Sequence, residues 1–359
     1  MLTFLTLFVA AQSDTVVLRE SPCVSCAIRV ESVARLGTAS GDGMVTTHRV
    51  VVEVDPRGRY LVTTAPTQLA VFEPSGTFLR VVGRSGGGPG EYRRIWRVAS
   101  SQHAIVIYDD VARRRTELAP DFSVRSTRSF QEAPWSVLLR PDGGGIMSAI
   151  VPSRNEVGYL LHALDASGQR TASRQLSGIP YREDLSELFR RTLSHSATGD
   201  AFWSAHYREY AFERCRWDRS SCDVFVRAAR WFPASVSGDW TERMGTNPPP
   251  SFLVSVSEAE PDVLWTLSWV ADARWTDALR QVTTTEFEIV EFDRYFDSVI
   301  EHVDLASGRV LASRRFDEVF KGFVAPGRIW RYAEDPDGFG RIEIGRLVLD
   351  PRSTTRRQP

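Results

Sequence analysis

The chain has 359 residues, 42% of them apolar and 25% charged, which excludes a disordered tail and leaves room for a substantial core. Its 44 basic and 45 acidic residues give a formal net charge of −1 and are spread along the chain, which argues against nucleic acid or an anionic membrane surface as a partner. Lys321 is the sole lysine, so an amine nucleophile would have one candidate.

In chain order, residues 1–13 come first. The stretch "LTFLTLFVAA" (2–11), followed by polar "QSDT", fits the apolar core and small-residue end of a secretory signal and is too short for a membrane span. Export to the periplasm or the cell exterior is expected; the competing reading is a strand, since no basic residue precedes Arg19. Cys23 and Cys26 in "SPCVSC", with Cys215 and Cys222 in "RCRWDRSSC", form an even set in turn-rich settings, the pattern of two structural disulfides with three pairings open. A zinc site fits poorly, because the two pairs have two and six intervening residues. A thioredoxin-type pair would want a helix after Cys26, where "AIRVESVARL" (27–36) reads as strand.

Beyond that strand, alternating or β-branched runs recur: "RVVVEVD" (49–55), "AIVIYDD" (104–110), "YLLHALD" (159–165), "DVFVRAARWF" (223–232) and "SVIEHVDL" (298–305). Turns of one kind, such as "FEPSG" (72–76), "LAPDF" (118–122), "LDASG" (164–168) and "DLASG" (304–308), are spaced roughly 45 residues apart outside 233–300. One short helix is expected in "EDLSELFRRTL" (183–193), with Leu185, Leu188, Phe189 and Leu193 on one face.

This period predicts an all-β chain: a six-bladed β-propeller of four-stranded antiparallel blades, forming a single domain over 14–350. The blades fall at 49–83, 95–129, 135–176, 191–232, 251–316 (with an insertion at 271–296) and 320–350, and 351–359 is expected to be a disordered tail. The last blade has room for three strands, while 27–36 is left over ahead of the first. The N-terminal strand is therefore expected to join the last blade and close the ring.

In residues 81–98, "VVGRSGGGPGEYRRIWRV", Gly86, Gly87, Gly88 and Gly90 permit positive φ in a blade-to-blade crossing, with Pro89 stiffening it and Tyr92 expected to pack between blades. A phosphate cradle would need a Walker Lys and Ser/Thr or a dinucleotide fingerprint opening a helix, and neither is present. The unit "FEPSGTFLRVVGRSGGGPGEY" (72–92), with weaker copies downstream, resembles exported bacterial six-bladed propellers related to NHL-repeat proteins. In those proteins a G-x-G-x-G-P-G-E-[FY] loop joins successive blades. The resemblance implies a fold rather than an activity.

Strand direction then sorts the loops. With strands a to d antiparallel in each blade, d-to-a and b-to-c connections share one face of the ring, so the glycine loop, residues 177–192 and the insertion should surround one channel mouth. The Cys215 to Cys222 turn should lie on the opposite face. Arg93, Arg94, Trp96, Arg274 and Trp275 on the loop-rich face are the candidate binding residues, offering planar donors and stacking surfaces to a protein, peptide or carbohydrate. Seven of the ten tryptophans lie in 203–275, and those on strands are expected to fill the wedges between blades.

Catalytic signatures are missing. The two asparagines, Asn155 and Asn247, lie in loops, unlike the Glu, Asn and Asp set of calcium-binding propeller lactonases. His48, His103 and His195 lack paired spacing. "DPDGFGRIE" (335–343) departs from a calcium loop and reads as a b-to-c turn, and no Gly-x-Ser-x-Gly elbow occurs. The expected function is that of an exported, monomeric ligand- or protein-binding module with no cofactor, no metal ligand set and no transmembrane segment. The alternative is a metal-dependent hydrolase or lyase with its site in the central channel.

Overall fold

A computed structural model describes residues 15–21, 26–151, 157–176, 181, 183–218, 221–233, 244–283 and 286–351. Six antiparallel sheets form the blades. Strands a to d are Val52–Val54, Tyr60–Ala65, Gln68–Phe72 and Phe78–Val82 in blade 1, and Ile95–Ser100, Ile105–Asp109, Arg114–Leu118 and Val124–Ser129 in blade 2. Blade 3 has Ser136–Leu139, Gly145–Ser148, Tyr159–Leu164 and Arg170–Leu176; blade 4 has Arg191–His195, Ala201–His206, Ala211–Arg216 and Cys222–Val226. Blade 5 is built from Phe252–Glu260, Val263–Ala271, Phe296–Asp304 and Arg309–Phe316. Each strand a touches the strand a of the next blade, and that of the last blade returns to the first, so the inner strands form a closed ring.

Closure comes from the N-terminal strand, as expected. Blade 6 supplies Phe320–Ala325, Arg328–Glu334 and Gly340–Pro351 from the end of the chain, and Cys26–Leu36 completes it as strand d. The pairing with Gly340–Pro351 is antiparallel and runs from Cys26 opposite Pro351 to Leu36 opposite Ile342. Ile28, Ala34 and Leu36 of this strand are buried, so the hydrophobic alternation that marks it as strand also fixes its inward face.

The residues just before it form a strap that gives no strand signal in the sequence. Thr15–Val17 lies parallel to the outer strand of blade 4 and Arg19–Glu20 parallel to that of blade 5. Leu18, between them, is buried with Phe225, Leu264 and Val310. Two outer edges that would otherwise offer unpaired backbone groups are covered in this way.

The recurring turns owe their sequence to backbone geometry. In "LDASG" the Asp165 carboxylate accepts from the Ser167 and Gln169 amides at 2.8 and 2.9 Å, while Gly168 takes φ +81°. The turn at Asp304 to Gly308 repeats this with Gly308 at φ +64°. The core is distributed between blades: Leu61, Leu69 and Val71 of blade 1 pack on Ile95, Ile105 and Ile107 of blade 2. Tyr92 is fully buried in the same cluster, and Trp203 and Trp265 are buried in others, as interblade filling requires.

Two expectations change in detail. The helix is a 3-10 turn over Glu183–Phe189, and Leu193 belongs to strand a of blade 4. The run 223–232 stops being strand at Val226, because the Arg227 side chain turns inward to the buried Glu301. The insertion emerges between strands b and c of blade 5 as a 3-10 turn (Trp275–Ala278), a hairpin (Leu279–Gln281 with Phe287–Ile289) and a single helical turn (Phe292–Tyr295).

Candidate functional site

The closed ring of inner strands leaves a central channel. Because d-to-a and b-to-c connections meet on one face, the glycine loop, the Glu183–Phe189 turn and the blade 5 insertion belong to the same end. The mouth there opens into a cavity of about 370 Å³, and the opposite mouth into one of about 500 Å³. Glu53, Ser100, Leu138, Leu193, Ser194 and Phe323 line both and form the neck between them.

The neck is polar at its centre. The Ser100 hydroxyl and amide donate to Glu53 at 2.9 and 3.2 Å. Glu53 keeps a partly open face to the cavity yet lies deep among protein atoms, and burial pushes its carboxyl up to about 7 against the Ser100 hydrogen bonds, which favour the charged form. Across the neck, the buried Ser194 hydroxyl has no hydrogen-bond partner among the described residues.

The loop-rich cavity is cationic and aromatic. Arg97 donates to the Trp135 carbonyl at 2.6 Å and to the Trp96 carbonyl at 2.7 Å, and its guanidinium stacks on the Trp96 ring at 4.3 Å. Burial, then the neighbouring Arg190 charge, push it down to about 9, so it stays protonated at neutral pH. Arg190 stacks over Tyr207 at 4.1 Å. Lys321, 16% exposed, lies 3.8 Å over the Phe292 ring and 3.2 Å from Asp293, with its ammonium pushed down by burial. Trp135, Trp269 and Trp330 complete the wall. This cluster can hold and orient an acidic or flat molecule.

The residues singled out from sequence belong to connections at this end of the ring, but none of the five is among the residues that line the cavity. Arg93 and Arg94 are exposed, and their amides donate to the buried Asp109 at 2.6 and 3.3 Å, while the Arg94 guanidinium pairs with Asp110. Trp96 donates to the Pro134 carbonyl at 2.7 Å and lies under Arg94 at 5.8 Å. Arg274 is exposed, whereas Trp275 is half-buried with its ring edge-on to Tyr295. Arg94 and Trp96 are thus together, but Arg274 and Trp275 belong to blade 5, three blades further round and across the channel axis. Sequence reasoning missed Arg97, Arg190 and Tyr207. The signal for Arg97 was obscured by a bulge between Ile95 and Arg97, which changes the face that each side chain takes.

The glycine loop is structural. Gly88 donates its amide to Glu91 at 2.7 Å, Arg84 binds the same carboxylate at 2.9 Å, and Gly86 and Gly90 take φ +152° and +73°. That Gly88 bond, ahead of the Arg84 contact, holds the Glu91 carboxyl below its usual range.

Cys215 and Cys222 form a disulfide that closes the c-to-d turn of blade 4, on the opposite face, and Cys26 is also disulfide-bonded; Cys23 lies outside the described residues. Among the described residues, the one group of His, Cys, Asp and Glu side chains close enough to share a metal is Glu213, Cys215 and Cys222, and the disulfide removes its thiolates. His48 lines the loop-rich mouth and His195 the other, so they do not converge. Asp335 is committed to its own turn, accepting from the Phe339 amide at 2.8 Å and pairing with Arg341 at 2.8 Å. Asn155 lies outside the described residues, and Asn247 is exposed.

A family model described as "6-bladed beta-propeller" matches residues 44–114, which covers blade 1 and the first half of blade 2. The chain is a six-bladed β-propeller. Among solved structures, this propeller superposes on a candidate exported protein from Bacteroides fragilis NCTC 9343 with a TM-score of 0.62 and 11% identity, over 93% of this chain and 99% of that one. A DUF4221 family member from Bacteroides vulgatus ATCC 8482 gives a TM-score of 0.61 at 6% identity, over 90% and 99%. At these identities the likeness is one of fold. No curated protein matches the propeller in sequence. No helix among its described residues is long and apolar enough to cross a membrane.

Proposed function

We propose that this propeller is an exported binding module that holds a small ligand in the cavity at the loop-rich mouth, with Arg93, Arg94, Trp96, Arg274 and Trp275 around the rim. The observation that carries this reading is the cavity itself: about 370 Å³, walled by the inner strands of the blades and lined by Trp135, Trp269, Trp330, Arg97 and Arg190. Its size falls within the roughly 300–1,000 Å³ of small-molecule sites. Export is supported by the signal-like run at 2–11, by disulfide use, and by the exported character of the Bacteroides fragilis relative.

Ligand screening by thermal shift, followed by calorimetry, tests the placement. Ser194→Phe fills the neck, and Arg94→Ala with Trp275→Ala strips the rim. Ligands whose binding is lost in Ser194→Phe and weakened by the rim pair support the reading. Ligands that bind every variant equally sit elsewhere, and that result overturns it.

A further inference from the structure

The charges on the wall of the loop-rich cavity do not balance. Among the described residues, Arg49, Arg97, Arg190 and Lys321 line it, and Glu53 is the single carboxylate that does. The chain as a whole carries −1, so this is a local concentration of positive charge rather than a general bias. Asp293 answers Lys321 from outside the cavity wall. Arg97 and Arg190 have no carboxylate within ion-pair distance among the described residues.

Two guanidinium groups placed side by side in a partly dry site repel each other and lose hydration, a cost that protein structures usually relieve with a counter-charge. Here the described carboxylate that acts on Arg97 is Asp110, and it is already paired with Arg94. Instead the protein fixes each cation in position: Arg97 by the Trp135 and Trp96 carbonyls and the Trp96 face, Arg190 by the Tyr207 face. Those carbonyls occupy part of the Arg97 fork and leave its remaining donors for the cavity. Guanidinium groups held in this way match the planar, two-oxygen geometry of carboxylates and phosphates. Burial first, and the Arg190 charge second, lower the affinity of Arg97 for its proton, and the Asp110 carboxylate opposes them only in part.

We infer that the ligand is a small organic anion, a carboxylate or phosphate whose acidic group lies between Arg97 and Arg190 and whose flat or apolar body lies against Trp135 and Trp269. The inference rests on the cavity being the binding site, as proposed above, and adds the chemistry of what enters it. Lys321 also lines the cavity as a further cation, and Glu53 at the neck offers a proton-sensitive acceptor to a polar tail.

The test uses the full chain and defined probes: phenylacetate and phenyl phosphate as anions, phenylacetamide as the neutral match, followed by tryptophan fluorescence and calorimetry. The anions should bind at least about tenfold tighter than the amide, a difference near 1.4 kcal/mol. Raising salt from about 0.05 to about 0.5 M should erode that margin. Arg190→Gln and, separately, Lys321→Gln, each checked for native melting, should weaken the anions and leave the amide unchanged; Arg97 is left in place, because Arg97→Gln would also remove two carbonyl contacts. The preferred anion of the two identifies the acidic group. If amide and anions bind alike, and Ser194→Phe blocks both, the cavity binds ligands but the anion inference falls. If none of the three probes binds at millimolar concentration while an uncharged ligand does, it falls equally. Binding unaffected by Ser194→Phe would instead remove the site itself.

Discussion

The Tyr210 hydroxyl of blade 4 donates a 2.5 Å hydrogen bond to Glu301 of blade 5, a carboxylate with no exposure to solvent. Arg227 binds the other oxygen of Glu301 at 2.9 Å and reaches Glu20 of the N-terminal strap at 3.0 Å. One buried polar cluster thus ties two blades and the strap together. Removing a single member leaves a buried oxygen of Glu301 short of a partner. Arg227→Met should cost about 3–5 kcal/mol, and Tyr210→Phe about 1–3 kcal/mol, in urea unfolding. Equal, small losses for both would show that the cluster is not coupled.

Glu53 should make stability depend on pH in a definite direction. Its folded carboxyl titrates near 7 and its unfolded one near 4.5, so the folded chain holds the proton more tightly. Its contribution is fully present below pH 4.5 and is lost as pH rises through 7, by about 3 kcal/mol on an order-of-magnitude conversion. The hydrogen bonds from Ser100 oppose this trend and the nearby Asp55 charge reinforces it. Melting wild type and Glu53→Gln at pH 5 and pH 8 isolates the term: the variant should gain on the wild type at the higher pH. A pH-independent difference between them would contradict the assignment.

The glycine loop gives a matched pair of substitutions. At Gly83, φ is +86° and an added Cβ would meet the buried Tyr92 ring at 2.6 Å. Gly87 has nothing within 4 Å and an ordinary φ. Gly83→Ala should therefore destabilise by roughly 2–4 kcal/mol, combining left-handed backbone strain with overpacking, while Gly87→Ala should stay within about 0.5 kcal/mol. Comparable effects at the two sites, seen by chemical denaturation, would mean that the loop is not packed as described.

The Cys215–Cys222 bridge closes a turn of sequence separation seven. Replacing both cysteines with alanine should lower stability by about 2 kcal/mol, the scale for a short loop. The turn lies on the face away from the loop-rich mouth, so affinity for any cavity ligand should not change. Thiol titration of unreduced, denatured wild type should find no free cysteine, in keeping with the described residues.

How much of this was legible in the sequence depends on what holds each part in place. Strands such as Ile105–Asp109, fully buried on both faces between neighbouring blades, read as continuous apolar runs, and the Asp and Gly of each turn are demanded by local geometry. The closing strand was legible by subtraction, since blade 6 lacked a fourth member. The strap at Thr15–Glu20 was not, because its strands of three and two residues are too short to show a period and lie on the edges of sheets whose position only the ring defines. The cavity was half legible. Direction along each strand placed the right loops at one mouth, but Arg97 sits next to a bulge and Arg190 follows a 3-10 turn, so simple alternation gave no warning that either side chain faces inward.

Strand Cys26–Leu36 and its partner Gly340–Pro351 stand more than 300 residues apart in the chain, yet neither has its neighbour until both exist. On a ribosome, or emerging from a translocation pore, the earlier segment must wait for nearly everything else to be made. A product cut short before Gly340 would carry two unsatisfied sticky margins, easy prey for quality-control proteases. Closure of the ring is thereby coupled to synthesis through Gly340–Pro351.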